Sequence, residues 1–159
     1  MRDLKKFLVL MLVGHISLVS CSDDTDLSDR LKETARESQE FTLNEALSIK
    51  VKEAYIFCPY TDWKDGVAKG FSRDQFYSID DNYKAWETYS GLGIIPAIGD
   101  ESKVLWFSPR ELNFCPTGYE GLTQLAGNDV ITVSVEEKEF ADGTTSPVRV
   151  LQRKAASAQ

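Results

Sequence analysis

A pair of β-strand patterns near the C-terminal end restricts the fold of this chain more than any other feature. In the segment "VITVSVEE", the apolar residues Ile131, Val133 and Val135 alternate with more polar ones, which is the period of a strand with two unlike faces. The alternation stops at "ADGTTSP", and a second apolar segment, "VRVLQ", follows it. Asp142-Gly143 lies between the two segments and is a strong signal for a tight hairpin turn. The sequence therefore predicts an antiparallel hairpin here.

Two further segments also indicate strands. "IIPAI" and "KVLWF" flank the turn-rich "GDES", which predicts a second hairpin over residues 94–107. Residues 47–58 alternate in two phases, and a β-bulge near Lys52-Glu53 would join them into one strand. Thr42 and Glu45 have the spacing of a helix capping box, but we favour a strand there.

These patterns together predict a mainly β fold. We expect a small antiparallel β-sandwich or barrel with one or two short helices. The segment between Tyr60 and Gly91 is compatible with short helices or with strands. Within it, "SRDQF" and "NYKAWETY" are the two candidate elements.

The first twenty residues have the pattern of a secretory signal. Three basic residues precede an apolar stretch over residues 7–16 that is too short to span a bilayer. The end of this leader, Leu18-Val19-Ser20-Cys21, resembles the lipobox of bacterial lipoproteins. That resemblance implies that Cys21 receives a diacylglycerol and becomes the first residue of the mature chain. The other possibility is an uncleaved hydrophobic N-terminus with an incidental cysteine.

Removal of residues 1–20 changes what the remaining chain can do. His15 is the only histidine and lies in the leader, so a mature chain would have neither a histidine-based triad nor imidazole metal ligands. The leader carries three basic residues and one acidic residue, a net of +2, so the whole-chain charge of −7 becomes −9. Such an acidic protein is not expected to bind nucleic acid, whose phosphates need lysine and arginine.

Lipidation of Cys21 would leave Cys58 and Cys115 as an even pair. In an oxidising compartment, we expect these two cysteines to form a disulfide. Two free buried thiols are the alternative. The resulting organisation is a signal peptide over residues 1–20, a polar tether over 21–40, a β-rich domain over 41–152 and a disordered tail over 153–159.

Candidate contact residues follow each of these two cysteines. "YTDWKDG" combines aromatic and acidic side chains directly after Cys58-Pro59, and "TGYEG" follows Cys115-Pro116. A disulfide would bring the two loops together into one acidic and aromatic surface, although the first loop can also be read as a simple turn. The predicted partner-binding residues are Tyr60, Asp62, Trp63, Asp65, Tyr119 and Glu120.

No pattern points to catalysis or to a cofactor. The aspartates lack the spacing of a calcium loop, and "GLG" lacks the lysine and helix of a phosphate loop. No G-x-S-x-G motif is present. We therefore expect neither enzymatic activity, nor a metal, nor a cofactor.

In layout, the chain resembles the immunity lipoproteins that protect bacteria from periplasmic toxins. The resemblance consists of the lipobox leader, the polar segment, the compact acidic β-domain and the two cysteines. It implies a lipid-anchored protein that neutralises a toxin, for example a type VI secretion effector, by protein–protein contact. The alternative is an envelope assembly lipoprotein, such as a pilotin or a secretion-system component. Ser22, rather than aspartate, follows Cys21, which by resemblance to enteric lipoproteins implies the periplasmic face of the outer membrane.

Overall fold

The computed structural model describes residues 24–76, 89–116 and 121–155. The described strands form two antiparallel sheets, one of three strands in the order β1-β6-β7 and one of four in the order β4-β3-β2-β5. The predicted mainly β fold is confirmed, and the sheets are open rather than closed into a barrel. The strands are β1 Glu40–Thr42, β2 Val51–Phe57, β3 Ser90–Pro96, β4 Lys103–Phe107, β5 Leu122–Leu125, β6 Val130–Glu139 and β7 Thr145–Arg153.

Within the described residues, three α-helices and one 3-10 helix accompany the strands. The longest, α1, spans Asp24–Glu37, and the two others are single short turns, α2 over Leu43–Leu47 and α3 over Trp63–Val67. The 3-10 helix Arg73–Phe76 corresponds to the "SRDQF" candidate. Of the second candidate, residues 82–88 of "NYKAWETY" lie outside the described residues, and Tyr89 directly precedes β3.

One main core lies between the two sheets and the first two helices. Every strand contributes to it, because alternate side chains of each strand point towards the same interior. Its fully buried members include Leu31, Leu43, Leu92, Phe107 and Leu151.

The opposite face of the four-stranded sheet carries a second, aromatic cluster. Phe57 lies at its centre, with Phe71 and Phe76 in edge-to-face contact at ring-centroid distances of 5.5 and 5.3 Å. Such geometries add roughly 0.5–1.5 kcal/mol per pair beyond the area buried. Gly93 of β3 makes room for the cluster, since a Cβ atom at this residue would lie 2.6 Å from Phe71 Cζ. The four-stranded sheet is thus covered on both faces.

The two predicted hairpins are both present. β3 and β4 pair from Ser90↔Phe107 to Ile94↔Lys103, and β6 and β7 pair along nine positions. Gly143 adopts the positive φ of 77° that the tight turn between β6 and β7 requires. The predicted bulge in β2 is confirmed by a register shift between Val51 and Glu53 against β3.

The strand prediction is wrong for residues 43–47, which form α2. The capping box seen in the sequence is formed: the Thr42 hydroxyl accepts from the Glu45 amide, and the Glu45 carboxylate accepts from the Thr42 amide at 2.8 Å. This reciprocal bonding satisfies amides that a helix start leaves open, and it holds the pKa of Glu45 below its usual range. Local capping therefore determines the structure of this segment more than its alternation does.

The predicted tether over residues 21–40 is wrong for residues 24–37, which form α1. Leu27, Leu31 and Ala35 lie on one face of that helix and are 3%, 0% and 2% exposed. The helix is fixed at its C-terminal end as well, because the Arg149 side chain donates to the Ala35 carbonyl at 3.1 Å. The folded domain therefore begins at or before Asp24 instead of at residue 41.

The predicted disordered tail is wrong for its first two residues. Arg153 is the last residue of β7, and the Lys154 ammonium lies 2.8 Å from the Glu40 carboxylate of β1. Residues 156–159 lie outside the described residues.

Candidate partner-binding surface

The disulfide joins the loop that follows Cys58 to the described residues that flank the second predicted contact loop. Cys58 directly follows β2, and Cys115 lies in the loop that follows β4, with their sulfur atoms at 2.06 Å. A second link comes from Gly121, whose carbonyl accepts from the Cys58 amide at 3.4 Å and from the Thr61 hydroxyl at 3.3 Å. Tyr119 and Glu120 lie outside the described residues. The chain that flanks them is nevertheless adjacent to the loop that follows Cys58.

Tyr60 is an exposed aromatic residue among the predicted contact residues. Its side chain is 55% exposed, and its φ of 70° lies in the left-handed region that side chains other than glycine rarely adopt. The turn that holds it is closed by the Thr61 amide, which donates to the Cys58 carbonyl at 3.1 Å. A strained, exposed tyrosine next to a disulfide is a suitable contact residue, because its position is fixed by the backbone.

Of the three other predicted contact residues in this loop, Asp62 and Trp63 have local structural roles. Asp62 caps the N-terminus of α3 by accepting from the Lys64 amide at 3.0 Å. Trp63 is half-buried against the aromatic cluster, and the Arg73 guanidinium lies 4.8 Å from its ring centroid. Asp65 is exposed in the first turn of α3.

The described part of the predicted surface is therefore not a concentration of acid. Lys64 and Arg73 both approach the face of Trp63, so cations lie beside Asp62 and Asp65. At distances larger than their separation, the fields of such neighbouring opposite charges largely cancel. Tyr60 remains a candidate contact residue here because its aromatic side chain is exposed.

The most acidic exposed strand lies elsewhere, in the outer half of the β6–β7 hairpin. Glu136, Glu137 and Glu139 are all exposed there, with Lys138 as the one cation among them. Val135 is 63% exposed, although it continues the face on which Ile131 is buried. The C-terminal half of β6 thus extends beyond the core. We call its last five residues, Val135–Glu139, the β6 edge.

Backbone geometry leaves the β6 edge with unpaired groups. The Val130 carbonyl bonds to the Lys154 amide and the Phe140 amide to the Thr144 carbonyl, so even-numbered residues of β6 bond to β7. Odd-numbered residues point the other way, as the bond from the Val133 amide to the Gln39 carbonyl shows. β1 pairs only with residues 130–132, so no described strand reaches Val135, Glu137 and Glu139 on that side.

The other side of the hairpin is protected over part of its length. Asn113 bonds to the outer groups of β7, donating to the Arg149 carbonyl and accepting from the Leu151 amide. Pro147 faces the same side and has no amide to offer. Natural sheets commonly protect edges in these ways, and the β6 side has neither device at Val135, Glu137 or Glu139 among the described residues.

The tip of the hairpin is anchored to the rest of the domain. Arg110 forms an ion pair with Asp142, donates to the Thr144 hydroxyl at 3.0 Å, and lies 4.1 Å from the Phe140 ring centroid. Hydrogen bonds from Thr144, and then the charge of Arg110, hold the pKa of Asp142 below its usual range. The β6 edge therefore extends from a supported hairpin.

No family model, curated protein or solved structure matches this chain. Within residues 24–76, 89–116 and 121–155, no three His, Cys, Asp or Glu side chains are grouped as metal ligands would be. None of the helices in that part of the chain is long and apolar enough to cross a bilayer.

The sequence contained one signal for the β6 edge that composition alone did not reveal. "VEEKE" continues the strand pattern of β6 while its residues become charged on both faces. A strand that loses its apolar face has left the core, and its edge is then available to a partner.

Proposed function

We propose that this protein is a lipid-anchored envelope protein that neutralises an antibacterial toxin by binding it. The observation that carries the proposal is the β6 edge, an exposed acidic strand on a supported hairpin. Complementary charge accelerates the capture of a basic partner, which suits an inhibitor that must act before the toxin reaches its target. The lipobox pattern at Cys21 supports attachment to the periplasmic side of the membrane.

The two-sheet frame suits such a role. A disulfide joins the end of β2 to the loop after β4, and the four-stranded sheet is covered on both faces. Binding surfaces held on a rigid frame lose less conformational entropy when they bind, so more of the contact energy appears as affinity.

The first test is genetic and uses the source bacterium. Deletion of this gene should make cells sensitive to sibling cells that carry the toxin encoded next to it, and expression of the full chain should restore survival. Cys21→Ala should leave the protein unprocessed and reduce protection, because the chain then lacks the lipid that anchors the mature protein. A matched Ser22→Ala variant should behave as wild type.

Two outcomes would contradict the proposal. Survival of the deletion strain against every sibling toxin would remove the immunity role. Co-purification of the chain with a pilus or secretion-system component, without any toxin, would support the assembly role instead.

A further inference from the structure

We infer that the β6 edge binds an extended basic segment of the partner protein, which adds to the three-stranded sheet as a further strand. The inference rests on the proposed function, since it names the part of the partner that the same protein recognises. It starts from the direction of the backbone groups. Val135, Glu137 and Glu139 each direct one N–H and one C=O away from β7, and none has a described hydrogen-bond partner on that side.

The side chains of the β6 edge determine which residues an added strand can place opposite them. In an antiparallel pair, directly opposite side chains have Cβ atoms about 4.5–5.5 Å apart, so each edge residue tests the residue opposite it. Glu137 and Glu139 have no ion-pair partner among the described residues, and they favour basic residues at alternate positions. Val135, on the same face, favours an apolar residue two positions further along the added strand.

Charge distinguishes this occupant from a second copy of the chain. The β6 edge carries three glutamates and one lysine, a net of −2, and the whole chain carries −7. Pairing two such edges would bring like-charged strands together, which is unfavourable both locally and at long range. A basic strand from another protein gains from the same field, because opposite charges steer the encounter.

The opposite side of the hairpin supports the assignment. Asn113 bonds to part of the outer side of β7 and Pro147 removes one amide from it, whereas β6 has no proline or covering loop among the described residues at Val135, Glu137 or Glu139. Among the described residues, charged side chains are the only protection of the β6 edge. They disfavour strands that lack the complementary charge.

The test uses a peptide probe and the full chain extracted from membranes in detergent. The probe is a capped, fluorescently labelled peptide of sequence Thr-Arg-Glu-Arg-Lys-Val-Thr. In antiparallel register, its two arginines lie opposite Glu139 and Glu137, and its valine lies opposite Val135. A second peptide of the same sequence is N-methylated at those three residues, so it keeps the charge but lacks the amides that face the edge. Fluorescence anisotropy should show at least tenfold weaker binding of the methylated peptide.

Two variants test the same edge from the side of the protein. Val135→Pro removes an outward amide without removing a bond to β7, and we expect it to weaken binding of the probe at least tenfold. The charge reversal of Glu137→Lys with Glu139→Lys should weaken binding similarly and reduce its dependence on salt. Glu33→Lys with Glu37→Lys makes the same charge change on the exposed surface of α1 and should lose much less. Thermal unfolding of each variant checks that its fold is retained.

Several results would overturn the inference. Equal binding of both peptides would mean attraction by charge without strand addition, and absence of binding by either would exclude the edge as a docking site for such a segment. A dimer of the full chain that Val135→Pro dissociates would make a second copy the occupant. Failure of the inference is distinguishable from failure of the function: if Val135→Pro still protects cells fully, the toxin is bound elsewhere, whereas a wild-type chain that fails to protect removes the function itself.

Discussion

Three apolar side chains, Leu27, Leu31 and Ala35, determine where the folded domain begins. Their helical spacing is visible in the sequence, but three apolar side chains did not distinguish a packed helix from the polar tether that we predicted. An isolated helix of this length is indeed marginal in water. The sequence does not reveal the surface on which the helix packs, which is formed by strands that are distant along the chain. Tertiary burial therefore turned a predicted tether into part of the core.

Truncation of Leu31 tests the role of α1 directly. Leu31→Ala should lower the free energy of unfolding by about 2–5 kcal/mol, because it leaves a cavity at a fully buried position. Glu33→Ala, an exposed position on the same helix, should change it by less than about 0.5 kcal/mol. Urea denaturation followed by circular dichroism measures both. An equal, negligible effect of the two substitutions would show that α1 does not pack on the domain.

At the scale of elements, the sequence predicted those that depend on local chemistry. The turn at Asp142-Gly143 and the bulge in β2 both appear in the structure. The long-range pairing of Cys58 with Cys115 was predicted by a different argument, because the lipid assigned to Cys21 left only these two cysteines. The short strand β5 was not predicted, because its four residues carry only weak alternation and depend on pairing with β2. The β6 edge was missed as a site because alternation predicts a strand but does not tell where that strand leaves the core.

The disulfide links elements that are 57 residues apart in the chain. Replacement of Cys58 and Cys115 by serine should lower the free energy of unfolding by about 4 kcal/mol, since the unfolded chain regains the entropy of a long loop. A reducing agent should lower the melting temperature of the wild type and leave the double variant unchanged. If reduction has no effect on the wild type, the bond contributes nothing to stability.

At the scale of the whole molecule, the absence of histidine after residue 15 shapes the response to pH. Glu45 has a lowered pKa, chiefly because it accepts from the Thr42 amide, so its contribution to stability is present above about pH 5 and is lost as the pH falls through its folded pKa. Tyr55 behaves in the opposite sense: burial, and then its hydrogen bond to Glu53, raise its pKa. Its contribution is present below about pH 10 and is lost as the pH rises through its folded pKa.

These directions predict how one substitution should behave across the pH range. Glu45→Ala should be less stable than wild type from pH 5.5 to 8, and the difference should shrink as the pH falls below about 4. Thr145→Ala, an exposed substitution that does not titrate, should show a difference independent of pH. Urea midpoints measured at intervals from pH 3 to 8 provide the comparison. A constant deficit for Glu45→Ala down to pH 3 would show that its carboxylate charge plays no part in the cap.

The early start of α1 has a consequence for how far the protein can act. If Cys21 carries the lipid, as proposed, only Ser22 and Asp23 separate it from the first residue of the packed helix. Three Cα–Cα steps span at most about 11 Å, so this short linker keeps the start of α1 close to the lipid headgroups. Its acidic hairpin then stays near the membrane surface and does not reach across the full depth of the periplasm. It would therefore meet a toxin as the toxin arrives at, or leaves, that membrane.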